Sequence, residues 1–160
     1  MNEKILEILD RCPNTSLEQL AIMIDADIKE VGEKIDDMKK NGILLGNKNI
    51  INWEKTDKEV VNAIIEVKVA PQRGEGFNKI AERIYKFPEV KTLYLMAGDY
   101  DLCVIIEGRT MKEVAMFVAD RISAMDSVMS TNTRFVLKIF KYEGISFEEE
   151  EKDTRQVITL

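Results

Sequence analysis

The sequence predicts an α+β protein in two parts. A helical part covers residues 1–57, a β-α-β-β-α-β part covers 58–145, and an acidic C-terminal tail covers 146–160. Two observations predict this. The apolar residues keep helical spacing up to about residue 57 and then mix alternating runs with helical ones. Turn and cap residues also fall between these runs rather than inside them. The composition agrees: of 160 residues, 45% are hydrophobic and 32% charged, enough for one ordinary core or two small ones and unlike a disordered chain.

In the first part, Ile5, Leu6, Ile8 and Leu9 give one apolar face at helical spacing, and Cys12-Pro13-Asn14 ends that helix. Ser16, three residues before Gln19, forms a capping-box pattern. Leu17, Leu20, Ala21 and Ile24 then share a face. Asp27 is a second N-cap candidate with Glu30 three later, and Ile28, Val31, Ile35 and Met38 make the next stripe. Asn41-Gly42 signals a helix C-terminus. Ile43-Leu44-Leu45, a polar turn over 46–49 and Ile50-Ile51 read as a small hairpin. The order helix, helix, short turn, helix, hairpin is that of a winged helix-turn-helix.

In the second part, Val60 to Val69 is rich in β-branched residues and reads as a strand, and Pro71 to Gly76 reads as a loop. Phe77, Ile80, Ala81, Ile84 and Tyr85 make a helical face that Phe87-Pro88 breaks. Val90 to Met96 is a second strand. Gly98-Asp99-Tyr100-Asp101 is a tight connection, and Leu102 to Ile106, apolar throughout, reads as a central strand. Met111, Val114, Ala115, Val118 and Ile122 form a second helical stripe, and Val128 through Tyr142 is the last strand region. This order is the ferredoxin-like split βαβ pattern, whose helices cover one sheet face and leave the other for a second subunit.

The composition excludes some functions. There is no histidine, so imidazole bases and His-ligated metals are absent. Cys12 and Cys103 are too far apart for a CxxC pattern and read as free thiols, Cys103 as an inert core residue. No nucleophile–base set or metal cluster emerges, so neither an enzyme nor a cofactor is expected. No run approaches the length of a spanning helix, and the opening residues lack a signal-peptide pattern, so the expectation is a cytoplasmic protein. Arg73-Gly74-Glu75-Gly76 lacks the full glycine pattern of a phosphate loop and reads as a connection. Trp53 is expected to pack the first domain or the junction. Glu148 to Glu151 reads as a solvated end, and Val157 to Leu160 as an apolar terminus that either docks or stays free.

Three stretches carry a resemblance to a known family. They are Lys4 to Leu9 with Leu20-Ala21 and Asn41 to Leu44; Phe87-Pro88-Glu89-Val90 through Gly98-Asp99-Tyr100-Asp101-Leu102; and Val128 followed by Thr131-Asn132-Thr133. In this order and on these elements, the chain resembles the leucine-responsive regulator/AsnC, or feast/famine, family from about Glu3 to Tyr142. The resemblance implies a DNA-binding domain joined to an effector-binding domain that forms homodimers and often octamers, with amino acids as the usual effectors. It also implies that the turn at Gly98 to Asp101 borders the effector pocket between subunits. There a carboxylate of Asp99 or Asp101 suits an α-ammonium. Thr131 and Thr133, on one side of a strand, would offer hydroxyls to the ligand's carboxylate, and Met96 and Tyr100 would be apolar wall. Without the family context, Gly-Asp-Tyr-Asp is simply a turn rich in turn-forming residues.

The expected recognition helix, Asp27 to Lys40, is less clear-cut. It carries Lys29, Lys34, Lys39 and Lys40 against Asp27, Glu30, Glu33, Asp36 and Asp37, and it has no arginine. Residues 1–57 hold eight Lys plus Arg and twelve Asp plus Glu, although phosphate binding is driven by cations. The four helix lysines and Lys48 in the wing are the DNA-contact candidates. The leading expectation is a DNA-binding transcriptional regulator answering to a small molecule, an amino acid by the resemblance. The alternative is a metabolite-binding interaction protein with weak or lost DNA binding.

Overall fold

A computed structural model describes residues 1–70 and 76–148. Its contacts divide the chain into one unit over Met1–Ile50 and a second beginning at Ile51.

The first unit is three helices, α1 (Asn2–Arg11), α2 (Leu17–Ile24) and α3 (Ile28–Lys40). Local chemistry sets their ends. The Ser16 side chain accepts from the Gln19 N–H at 3.2 Å while the Gln19 side chain takes the Ser16 N–H at 3.0 Å, a complete capping box on α2. Asp27 caps α3, accepting from the Lys29 N–H at 2.8 Å. At the far end, Gly42 N–H reaches the Lys39 carbonyl at 3.1 Å and Ile43 N–H the Met38 carbonyl at 2.9 Å, satisfying carbonyls the helix leaves open. Ile5, Leu20, Ala21, Val31 and Met38 form the core, with Leu6, Ile8, Leu9, Ile24, Ile35 and Leu44 packed around it.

The expected hairpin over 43–51 forms no β-ladder. Leu44 packs on the core, but Ile43 and Leu45 are 58% and 91% exposed. A two-stranded ribbon with no apolar face to bury has little to hold it.

The second unit is a four-stranded antiparallel sheet with strand order β2-β3-β1-β4, built from β1 (Val61–Val69), β2 (Val90–Leu95), β3 (Leu102–Gly108) and β4 (Val128–Phe135). Two helices, α4 (Phe77–Tyr85) and α5 (Met111–Phe117), cross one face, and a π-helical turn at Val118–Ile122 continues α5. On that face Ala63, Ile65, Val67 and Val69 of β1 and Leu102, Val104 and Ile106 of β3 meet Ile80 and Ile84 of α4 and Val114, Val118 and Ile122. The inward stripe of α5 differs from the expected one. Met111 and Ala115 are exposed, and Phe117 packs inward instead, ring edge to ring face with Phe87 at 5.4 Å.

The opposite sheet face carries Ile64, Glu66 and Lys68 of β1 and Cys103 and Ile105 of β3. Cys103 therefore lies half-buried on this open face and not in the core. The Glu66 carboxylate accepts from Asn132 Nδ2 at 2.9 Å and pairs with the Arg134 guanidinium at 3.0 Å, so its charge is matched within the protomer.

The last strand region also differs from expectation. β4 stops at Phe135, and a separate hairpin follows, β5 (Lys141–Tyr142) with β6 (Ile145–Ser146). Its two-residue turn needs positive φ at both positions, which Glu143 (47°) and Gly144 (81°) adopt. Phe147 N–H to the Phe140 carbonyl, 2.9 Å, lengthens the ladder, so structure continues past the expected start of the tail. Trp53 belongs to the second unit. It sits in a 3₁₀ turn (Trp53–Lys55), carries the Lys58 ammonium 4.2 Å above its ring, and lines a cavity of about 250 Å³ with Val136 to Ile139 and Phe147. The segments expected at 71–75 and 149–160 lie outside the described residues.

Candidate functional site

Two places carry the residues singled out from the sequence. The first is α3. Val31 and Met38 point into the core, at 0% and 2% exposure. Helical geometry places Lys29, Glu33, Asp36 and Lys40, spaced 4, 3 and 4 residues apart, in one stripe on the opposite side, and all four are exposed. The structure thus separates the four helix lysines. Lys29 and Lys40 end the stripe. Lys34 lies on a flank, partly covered and 4.0 Å from Glu30, and Lys39 lies on the other flank. Lys48 is exposed in the segment that forms no ladder. Among the described residues, none of the four stripe side chains forms an ion pair with another.

The second place is the turn between β2 and β3. Met96 N–H donates to the Asp101 carbonyl at 2.8 Å and closes the turn. Gly98 holds φ +156°, which L side chains rarely adopt, and nothing lies within 4 Å of where a Cβ would sit. Asp101 is tied to its own chain: its N–H donates to the Val67 carbonyl at 3.1 Å, its carboxylate accepts from the Val69 N–H at 2.9 Å, and Lys68 Nζ lies 3.6 Å away. Asp99 is exposed and, unlike Asp101, has no partner among the described residues. Met96 is 48% exposed and Tyr100 half-buried.

Thr131 and Thr133 are both on the helix side of the sheet. Their β1 partners are Val67 and Ile65, which are fully buried under the helices. The Thr131 and Ser123 hydroxyls are 3.0 Å apart, so Thr131 also has an internal partner. Asp101 precedes Leu102, which faces the helices, and its carboxylate meets Lys68 on the open side. One chain therefore presents the Asp101 carboxylate and the Thr131 and Thr133 side chains on opposite sides of its sheet. The sequence reading missed the two partners that fix these residues, Val69 and Ser123. Register decides both, and no local motif marks them. Among the described residues no His, Cys, Asp and Glu group could hold a metal, and no helix is long and apolar enough to cross a membrane.

A helix-turn-helix unit followed by a βαββαβ unit defines a two-domain helix-turn-helix protein. Residues 62–145 match the Lrp/AsnC ligand binding domain. The chain is 46% identical over 157 residues to an uncharacterized HTH-type transcriptional regulator, YugG, of Bacillus subtilis, covering 98% of this chain and 95% of that one. It belongs to the Lrp/AsnC family. Solved structures share the fold. The leucine response regulatory protein of Mycobacterium tuberculosis superposes with a TM-score of 0.75 at 17% identity, covering 89% and 94% of the two chains. The NMB0573/L-Met complex from Neisseria meningitidis gives 0.69 at 20%, covering 88% and 90%.

Proposed function

We infer that the chain is a DNA-binding transcriptional regulator whose second unit binds a small molecule, an amino acid, between subunits. The observation that carries this is the match of one chain, over nearly its whole length, to a helix-turn-helix transcriptional regulator, with an Lrp/AsnC ligand binding domain on its C-terminal side. The methionine complex of a relative with the same fold supports an amino acid as ligand. The regulator acts in the cytoplasm without catalysing a reaction.

In this reading Asp99 takes the ligand's ammonium group, Asp101 holds the turn, and Met96 and Tyr100 wall the pocket. Gly98 lets the turn form. Thr131 and Thr133 meet the ligand's carboxylate from a neighbouring subunit, because one protomer keeps them on the side of its sheet opposite the Asp101 carboxylate. The open sheet face, with Ile64, Cys103 and Ile105 partly uncovered, is the dimer surface, and dimers can assemble further to octamers. Ligand and DNA are coupled by linkage: the ligand acts only through its different affinity for the two states of the assembly.

A second reading has one observation behind it. The outward stripe of α3 carries two lysines and two carboxylates, which suits a metabolite-binding protein that meets other proteins instead of DNA. Fluorescence anisotropy on DNA from upstream of the protein's own gene separates the two. It is run at two salt concentrations, with and without L-methionine and then a mixture of the common amino acids. The regulator reading expects salt-sensitive binding that moves with an amino acid. Absence of binding at low salt in every condition overturns it in favour of the second.

A further inference from the structure

The outward stripe of α3 has cations at its ends and carboxylates at its middle. Lys29 and Lys40 are eleven residues apart, about 16 Å at roughly 1.5 Å rise per residue. The major groove is about 12 Å wide, so two lysines at that separation can reach phosphates on its two sides. Whatever lies between them faces the base edges. Here that is Glu33 and Asp36, both exposed and neither in an ion pair with another described residue.

A carboxylate is a pure acceptor. Against the major-groove edges it is repelled by guanine O6 and N7 and by thymine O4, and it finds donors only at the amino groups of cytosine and adenine. Adenine also presents N7, an acceptor that a carboxylate cannot satisfy, whereas cytosine presents its N4 amino group alone. We propose that Glu33 and Asp36 are specificity determinants that select cytosine at the operator positions beneath the middle of α3, while Lys29 and Lys40 position the helix on the flanking phosphates. This rests on the DNA-binding reading. It also accounts for the acidic helix. The carboxylates weaken binding to every sequence through repulsion, and the cytosine contacts restore it only at the correct one. The result is low non-specific affinity with retained discrimination.

The test is selection of binding sites from a randomised duplex pool by the full chain, in parallel with Glu33→Gln, Asp36→Asn and Lys29→Ala. All three positions are exposed, and circular dichroism verifies that each variant keeps its helix content. The wild type is expected to enrich sites with cytosine at fixed positions, favoured about tenfold or more over the other bases. In Glu33→Gln one of these positions is expected to move from cytosine to adenine, because an amide both accepts from N6 and donates to N7. Lys29→Ala is expected to weaken all sequences alike and to lower the salt dependence by about one phosphate contact. If Glu33→Gln and Asp36→Asn select the wild-type sites with unchanged preference, the proposal is overturned while DNA binding stands. If the wild type enriches no sequence even at low salt, the DNA-binding reading fails and the proposal with it.

Discussion

The carboxylate of Asp101 accepts a hydrogen bond from the backbone N–H of Val69 at 2.9 Å, joining the start of β3 to the last residue of β1. The reason is topological. β3 pairs with β1 only as far as Val67 and Leu102, so the Val69 N–H lies past the end of its partner strand. A side chain supplies the acceptor that the missing strand residue would have supplied. Asp101→Ala leaves that N–H without its partner. The expected loss is about 1.5–3 kcal/mol in urea unfolding, with a smaller loss for Asp101→Asn, which keeps an acceptor oxygen. Unfolding midpoints equal to wild type for both variants would remove Asp101 from this structural role.

Asp99 gives the opposite expectation. It is exposed and unpartnered among the described residues, so Asp99→Asn changes stability by about 0.5 kcal/mol or less. Amino-acid binding, followed by calorimetry with L-methionine first, is expected to weaken about tenfold or more. Unchanged affinity in a saturable titration would take Asp99 out of the ligand site.

Glu33→Arg replaces a carboxylate at the middle of the exposed α3 stripe with a cation. Affinity for duplexes without the selected sites is expected to rise, with a steeper dependence on salt. Anisotropy titrations at two ionic strengths measure both. A flat response to the charge reversal would mean that this side of α3 does not approach phosphates.

Gly108, at the end of β3, is a packing position. A Cβ there would sit 2.7 Å from Cγ2 of Val114, whose side chain is buried and short. Gly108→Ala is expected to destabilise by about 1–3 kcal/mol through overpacking, read as a lower unfolding midpoint.

The two cysteines are expected to react differently. Burial, and then the neighbouring Glu66 carboxylate, raise the Cys103 thiol above its ordinary pKa, while Cys12 is exposed. A raised pKa leaves less thiolate at neutral pH, so iodoacetamide should modify Cys12 first, with Cys103 gaining on it as pH rises. Mass spectrometry of timed digests follows each site. Equal rates at neutral pH would contradict the half-buried setting of Cys103.

The legible parts of the fold are those with a local cause. Ser16 with Gln19, Asp27, and Asn41 with Gly42 mark helix ends because each bonds to backbone within a few residues. The split βαβ order follows from periodicity, and the apolar run Leu102 to Ile106 marks an interior strand. The illegible parts depend on pairing across distance. That Thr131 faces Ser123 while Asp101 faces Lys68 follows from pairing between distant strands, which no local motif marks. The segment 43–51 has hairpin composition, but only Leu44 packs on the core while Ile43, Leu45 and Ile51 stay exposed. The hairpin at 141–146 turns on Glu143-Gly144, a weaker cue than Asn-Gly.

Glu66 reaches the open sheet face already held by Asn132 and Arg134 of the same protomer. If two protomers join there, this carboxylate does not have to find its counter-ion across the seam, so Glu66 adds little dependence on electrolyte to the contact. The phosphate contacts proposed for Lys29 and Lys40 depend on it strongly. On that proposal, added salt loosens the DNA contact while Glu66 keeps its partners within its own protomer.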